Sequence, residues 1–104
     1  MDNGLKITNE GYENGMLLLK AEGRIGAKEA PVLERTLNES LGETQLYLVL
    51  NMRHVEYLSS MGIRILLSMY KKALKGGKKF RVENPSEAVR NVLGMVNLDE
   101  LLLR

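Results

Sequence analysis

Two adjacent serines, Ser59 and Ser60, followed by Met61 and Gly62, carry the most chemistry in this chain. They stand between an apolar stretch that reads as a buried strand and a run of helical periodicity. A serine at such a junction has three uses. As an N-cap, its hydroxyl accepts a hydrogen bond from a free backbone N–H of the helix and contributes about 1 kcal/mol. As a phosphorylation site, it gains about −1.5 to −2 charges where the positive end of a helix tolerates them. As a nucleophile, it needs a base, and His54 is the only histidine available. No Gly-x-Ser-x-Gly elbow surrounds either serine. His54 therefore reads as a polar surface residue, and no catalytic residue is assigned. Gly62 costs roughly 0.5 to 1 kcal/mol against alanine inside a helix, so it needs a compensating reason, either close packing or the approach of a partner to the serine.

Other reactive constellations are missing from the sequence. There is no cysteine, which excludes disulfides and thiolate metal sites; no metal site and no cofactor are expected. Gly76-Gly77-Lys78 lacks Walker A spacing and follows a helical segment, so it reads as a turn. The basic cluster Lys71, Lys72, Lys75, Lys78, Lys79 and Arg81 falls at a helix end and the turn after it, where cations suit the helix dipole. With a formal charge of only +2, one Phe and no Trp, the chain offers little to a nucleic acid, and no direct nucleic-acid contact is expected. Residues 1–4 show neither a basic nor an apolar leader region, and no apolar run approaches the roughly 20 residues a bilayer demands. A cytoplasmic location with no membrane contact is the expectation.

The length of 104 residues suits one domain over 1–104. Leu5 to Thr8 alternates, Gly11 to Gly15 reads as a turn, and Met16 to Lys20 resumes as an apolar run, which together predict an opening hairpin. From Ala27 to Leu41, Ala30, Leu33, Leu37 and Leu41 recur at helical spacing, with Pro31 in the first turn and Gly42 as the stop. Leu46 to Leu50 reads as a central strand buried on both faces. A loop is expected from Asn51 to Ser59. The next helix runs from about Ser60 to Lys75 and ends at Gly76-Gly77. Its core stripe is read as Ile63, Leu66, Leu67, Tyr70 and Leu74, with a second apolar stripe of Met61, Ile65 and Met69 on the opposite side. That second stripe is either packed or a Met-rich docking patch. Lys79 to Glu83 alternates as a strand near the sheet's edge. Asn84-Pro85-Ser86-Glu87 predicts a helix capped by Asn84, with Ala88, Val89, Val92, Leu93 and Val96 on its apolar face and Asn97 closing it. Leu101 to Leu103 reads as a short strand or docked tail. Strands joined through helices should pair in parallel by right-handed crossovers.

The order and spacing of three segments resemble a known family. They are Leu48-Val49-Leu50-Asn51-Met52; Val55-Glu56-Tyr57-Leu58-Ser59-Ser60-Met61-Gly62-Ile63-Arg64 with Ile65-Leu66-Leu67; and Gly76-Gly77-Lys78 followed by Ser86 to Leu93 and Leu98. Together they resemble the STAS domain, in its anti-sigma factor antagonist branch, from about Met16 to Arg104. The resemblance implies an α/β fold with a mixed four- to five-stranded sheet and about three helices, and no enzymatic activity. It also implies a bacterial signalling role in transcription regulation. The partners would be an anti-sigma factor serine kinase, which phosphorylates Ser60 and so releases the protein, and a PP2C-type phosphatase that resets it. The partner surface would comprise Gly26, Ser59, Ser60, Met61, Gly62, Arg64 and Ile65. Many antagonists carry Asp where this chain has Ser59, and again where it has Gly26. An alternative is a scaffold or docking module of another circuit in which Ser60 is not phosphorylated. Many members also add a last helix beyond Leu103-Arg104.

Overall fold

A computed structural model describes residues 4–44 and 46–103. Residues 1–3, read for a leader, and Arg104 lie outside the described residues. The elements are β1 (Leu5–Glu13), β2 (Met16–Ile25), α1 (Ala30–Glu43), β3 (Tyr47–Leu58), α2 (Ser60–Lys75), β4 (Lys79–Glu83), α3 (Glu87–Met95) and α4 (Asp99–Leu102). The sheet has the order β1-β2-β3-β4, with β1 antiparallel to β2 and the remaining pairs parallel. This is the mixed α/β arrangement expected, with β3 inside the sheet and β4 at an edge.

Register explains which face is buried. Leu17, Leu48 and Phe80 stand side by side, as do Leu19, Leu50 and Val82, and all six are in the core. Residues from all four helices join the same cluster, including Leu33 and Leu37 of α1, Leu66 of α2, Leu93 of α3 and Leu102 of α4. The helices thus cover one face of the sheet. On the other face, Leu18, Val49 and Arg81 are register neighbours, and Val49 is buried outside the main cluster. β3 is therefore buried on its helix-covered face and, at Val49, on the second face as well.

Several local expectations are corrected. The hairpin turn is Asn14-Gly15, both at positive φ (55° and 81°), the conformation a two-residue hairpin requires. Gly11 instead sits at a bulge in β1, where its N–H donates to Asn9 Oδ1 at 2.8 Å. α1 begins at Ala30 and runs through Gly42 to Glu43, because Thr44, extended, ends it with its N–H on the Ser40 carbonyl. The segment read as a loop from Asn51 is strand as far as Leu58. Its buried residues Met52, Val55 and Leu58 recur every three positions because β3 holds one extra residue at each of two bulges against β2. α3 is capped by Ser86, whose Oγ accepts from Val89 N at 3.2 Å, while Asn84 adopts positive φ (49°). Ser86 also ties α3 to the bulged part of β3: its Oγ donates to the Val55 carbonyl at 2.6 Å, and its N–H to that of Met52. The last segment is a single helical turn rather than a strand, held by Leu102 with no exposure. Asn97 (φ 59°) closes α3 and Gly76-Gly77 closes α2 as expected.

Candidate functional site

The site lies where β2 and β3 end side by side and α2 begins. Ile25 is the register partner of Leu58, and the next N–H, that of Ser59, donates to the Ile25 carbonyl at 2.8 Å. This bond carries the chain from the sheet directly into α2. Ser59 is extended (φ −83°, ψ 170°), and its Oγ accepts from Gly62 N at 3.2 Å while its carbonyl takes the N–H of Ile63. Ser59 is thus the N-cap. Ser60 is the first helical residue; it is exposed, and its hydroxyl makes no hydrogen bond among the described residues.

Gly62 is buried at the contact between α2 and the two strand ends. A Cβ built there would lie 2.6 Å from Leu58 Cδ1 and 2.8 Å from Ile25 Cγ2. Packing, not partner access, explains this glycine. Ile65 is only 8% exposed and Met69 2%, so both point into the core. The core stripe of α2 is Gly62, Ile65, Leu66, Met69 and Ala73, whereas Leu74 is half exposed. The buried face therefore lies between the two expected stripes: it takes Leu66 from the first, with Ile63 and Tyr70 packed at its margin, and Ile65 and Met69 from the second, while Leu74 and Met61 are exposed. The polar residues Arg64, Ser68, Lys71, Lys72 and Lys75 recur at helical spacing on one side, and the buried face is the side opposite them, centred on Gly62, Leu66 and Ala73. Gly62 and Ile65 support the expected partner surface from beneath, and the docking patch reduces to Met61, 44% exposed.

Gly26 follows β2 directly. Its N–H donates to Glu29 Oε1 at 2.8 Å, and its carbonyl accepts from the N–H groups of Glu29 and Ala30 at the entry to α1. A Cβ at Gly26 would come 3.8 Å from the Tyr57 ring. Tyr57 itself is 43% exposed and lies beneath the Arg24 guanidinium, 4.6 Å from its ring centroid. Arg64, exposed, stands one helical turn beyond Ser60. The exposed neighbourhood of Ser60 thus comprises Met61 and Arg64 on α2, with Arg24 and Tyr57 at the adjoining strand ends. Sequence reading missed the Arg24–Tyr57 stack, because bulges in β3 set the register that pairs them. His54 pairs with Glu22, four residues before the end of β3 and so roughly 13 Å along the strand, which places it away from Ser60. Among the described residues no group of three or more His, Asp or Glu gathers to hold a metal, and no helix is long and apolar enough to cross a membrane.

Comparison with known proteins gives this geometry a context. An anti-sigma factor antagonist from Mycobacterium paratuberculosis superposes with a TM-score of 0.85 at 25% identity, over 98% of this chain and 86% of that one. The antagonist SpoIIAA in its unphosphorylated form matches with a TM-score of 0.78 at 13% identity, over 94% of this chain and 86% of that one. The phosphorylated form of the Bacillus cell fate determinant SpoIIAA matches with a TM-score of 0.72 at 12% identity, over 94% and 89% respectively. At such identities the two SpoIIAA structures speak for the fold alone. The family model described as STAS domain matches residues 7–103, nearly the whole chain, and the chain therefore belongs to the STAS domain family.

Proposed function

We propose that this protein is an anti-sigma factor antagonist that binds an anti-sigma factor serine kinase through the end of the sheet around Ser60 and is switched off when that serine is phosphorylated. The observation that carries the reading is the division of labour between the two serines. Ser59 holds the cap, so the exposed hydroxyl of Ser60 is free to be modified without cost to the start of α2. A phosphate on Ser60 would stand at the positive end of a 16-residue helix and one turn from Arg64, two surroundings that favour its charge. The same charge, placed beside Met61 and Tyr57, would oppose a partner that packs apolar surface there. A PP2C-type phosphatase would restore the binding form. The likeness to antagonists, one of them known in unphosphorylated and phosphorylated forms, supports the assignment.

Co-purification from the native source, with mass spectrometry of the bound proteins and of Ser60, tests it directly. The expected result is a serine kinase in the complex, phosphate on Ser60 after incubation with ATP, and loss of the complex in Ser60→Asp. An intact Ser60 together with a complex indifferent to Ser60→Asp would sink the switch. That outcome would favour a docking module of another circuit, the reading to which Gly26 and Ser59, standing where many antagonists have Asp, lend support.

A further inference from the structure

β1 is an edge strand: it pairs with β2 on one side and with no strand among the described residues on the other. The helices pack chiefly over β2, β3 and β4. Exposed edges are commonly blunted by a bulge, a proline or a charge, because their free N–H and C=O groups invite a further strand. In β1 the bulge comes only after Asn9, and Leu5 to Asn9 runs without proline in unbroken register against Gly23 to Leu19.

Register decides which backbone groups face outward. The Arg24 N–H donates to the Gly4 carbonyl, and in an antiparallel ladder this makes Lys6–Glu22 and Thr8–Lys20 the hydrogen-bonded pairs. The N–H and C=O groups of Leu5, Ile7 and Asn9 therefore point away from β2, and no loop backbone among the described residues takes them up. Lys6 and Glu10 are both exposed. They stand four residues apart, with Thr8 midway, so they share the face turned from the helices. Neither makes an ion pair among the described residues, since Glu22, beside Lys6 on β2, lies 4.0 Å from Lys20.

We propose that this edge binds a second copy of the chain, β1 against β1 and antiparallel, about a two-fold axis at Thr8. In that register the outward groups of Ile7 meet those of Asn9 in the other protomer, at both of the symmetry-related positions. Lys6 then stands opposite Glu10 of the second copy, again twice, in a non-hydrogen-bonded pair whose Cα atoms are about 4.5 Å apart. Opposite charges so placed contribute roughly 0.2–1 kcal/mol per pair. An axis at Ile7 would set Lys6 against Thr8, and one at Asn9 would set it against Tyr12, so the charges select Thr8. The lysine that would blunt this edge toward other strands thus has its complement in the same strand. The contact is self-complementary and closes as a dimer with one continuous sheet. It does not depend on the function proposed for Ser60.

Sedimentation equilibrium from micromolar to millimolar protein tests the proposal, with Lys6→Glu, Glu10→Lys and the double exchange beside the parent. A monomer–dimer equilibrium is expected for the parent. Each single reversal sets like charges opposite one another twice and should weaken the dimer by about tenfold, and the double exchange should restore it. A parent that stays monomeric at millimolar concentration overturns the proposal. So does a dimer indifferent to the single reversals, or one that the double exchange fails to restore. Should a variant fail to fold, as judged by circular dichroism, amide exchange in the parent decides. Protection at Ile7 and Asn9 should then rise with protein concentration while Lys6 and Thr8, already bonded to β2, stay unchanged. Protection at Ile7 and Asn9 that is independent of concentration counts against the pairing.

Discussion

Ser59 and Ser60 share a side-chain chemistry and differ in what the backbone asks of them. The Ser59 hydroxyl is spent on Gly62 N, so Ser59→Ala should lower stability by about 1 kcal/mol, whereas Ser60→Ala, which breaks no hydrogen bond, should stay within about 0.5 kcal/mol of the parent. Urea denaturation of the two variants measures both, and an equal loss would contradict the assignment of the cap. Gly62 belongs to the same junction. Its missing side chain lets α2 settle onto Ile25 and Leu58, so Gly62→Ala forces buried atoms apart and should destabilise by about 1–2 kcal/mol despite alanine's better helix propensity.

The elements turn identical residue types to opposite ends. Gly42 also lies inside a helix, but it is exposed on α1 and a Cβ there would meet nothing within 4 Å. Gly42→Ala should therefore stabilise the protein by about 0.5–1 kcal/mol, through a less flexible unfolded chain. A rise in thermal midpoint for Gly42→Ala beside a fall for Gly62→Ala would confirm that packing, not composition, separates these glycines. β3 makes a similar point for strands. Its bulges turn the alternation of Leu48 and Leu50 into the three-residue spacing of Met52, Val55 and Leu58, and a strict period of two then no longer identifies a strand. Ser86 compensates by binding the Met52 and Val55 carbonyls in this irregular stretch.

For the molecule as a whole, one helical layer covers one face of a four-stranded sheet, and the second face carries the register neighbours Leu18, Val49 and Arg81. Closure of the core therefore depends on short pieces. α4 is a single turn, yet Leu102 is fully buried in the same cluster as Leu66 and Leu93. Leu102→Ala should cost about 2–3 kcal/mol and shift cooperative unfolding as one transition, seen by circular dichroism. If instead the last turn frayed alone, with amide exchange faster only there, α4 would be an appendage and not part of the core.

Much of this was legible in the residues themselves. The alternation of Phe80 and Val82, the helical spacing of Ala30, Leu33, Leu37 and Leu41, and the stops at Gly76-Gly77 and Asn97 are local signals, because each depends on neighbours within a few positions. The start of α2 at Ser59 and Ser60 was equally local. What only the tertiary structure decided rests on contacts distant in sequence. How closely α2 approaches the strand ends depends on Ile25 and Leu58 receiving Gly62. The extension of β3 through Leu58 depends on register with β2, and so does the meeting of Arg24 with Tyr57. Ser86 displaces Asn84 as the cap of α3 because the Val55 carbonyl is there to take its hydroxyl. A strand interrupted by bulges does not announce its faces, since the free energy that selects them comes from the surfaces it meets.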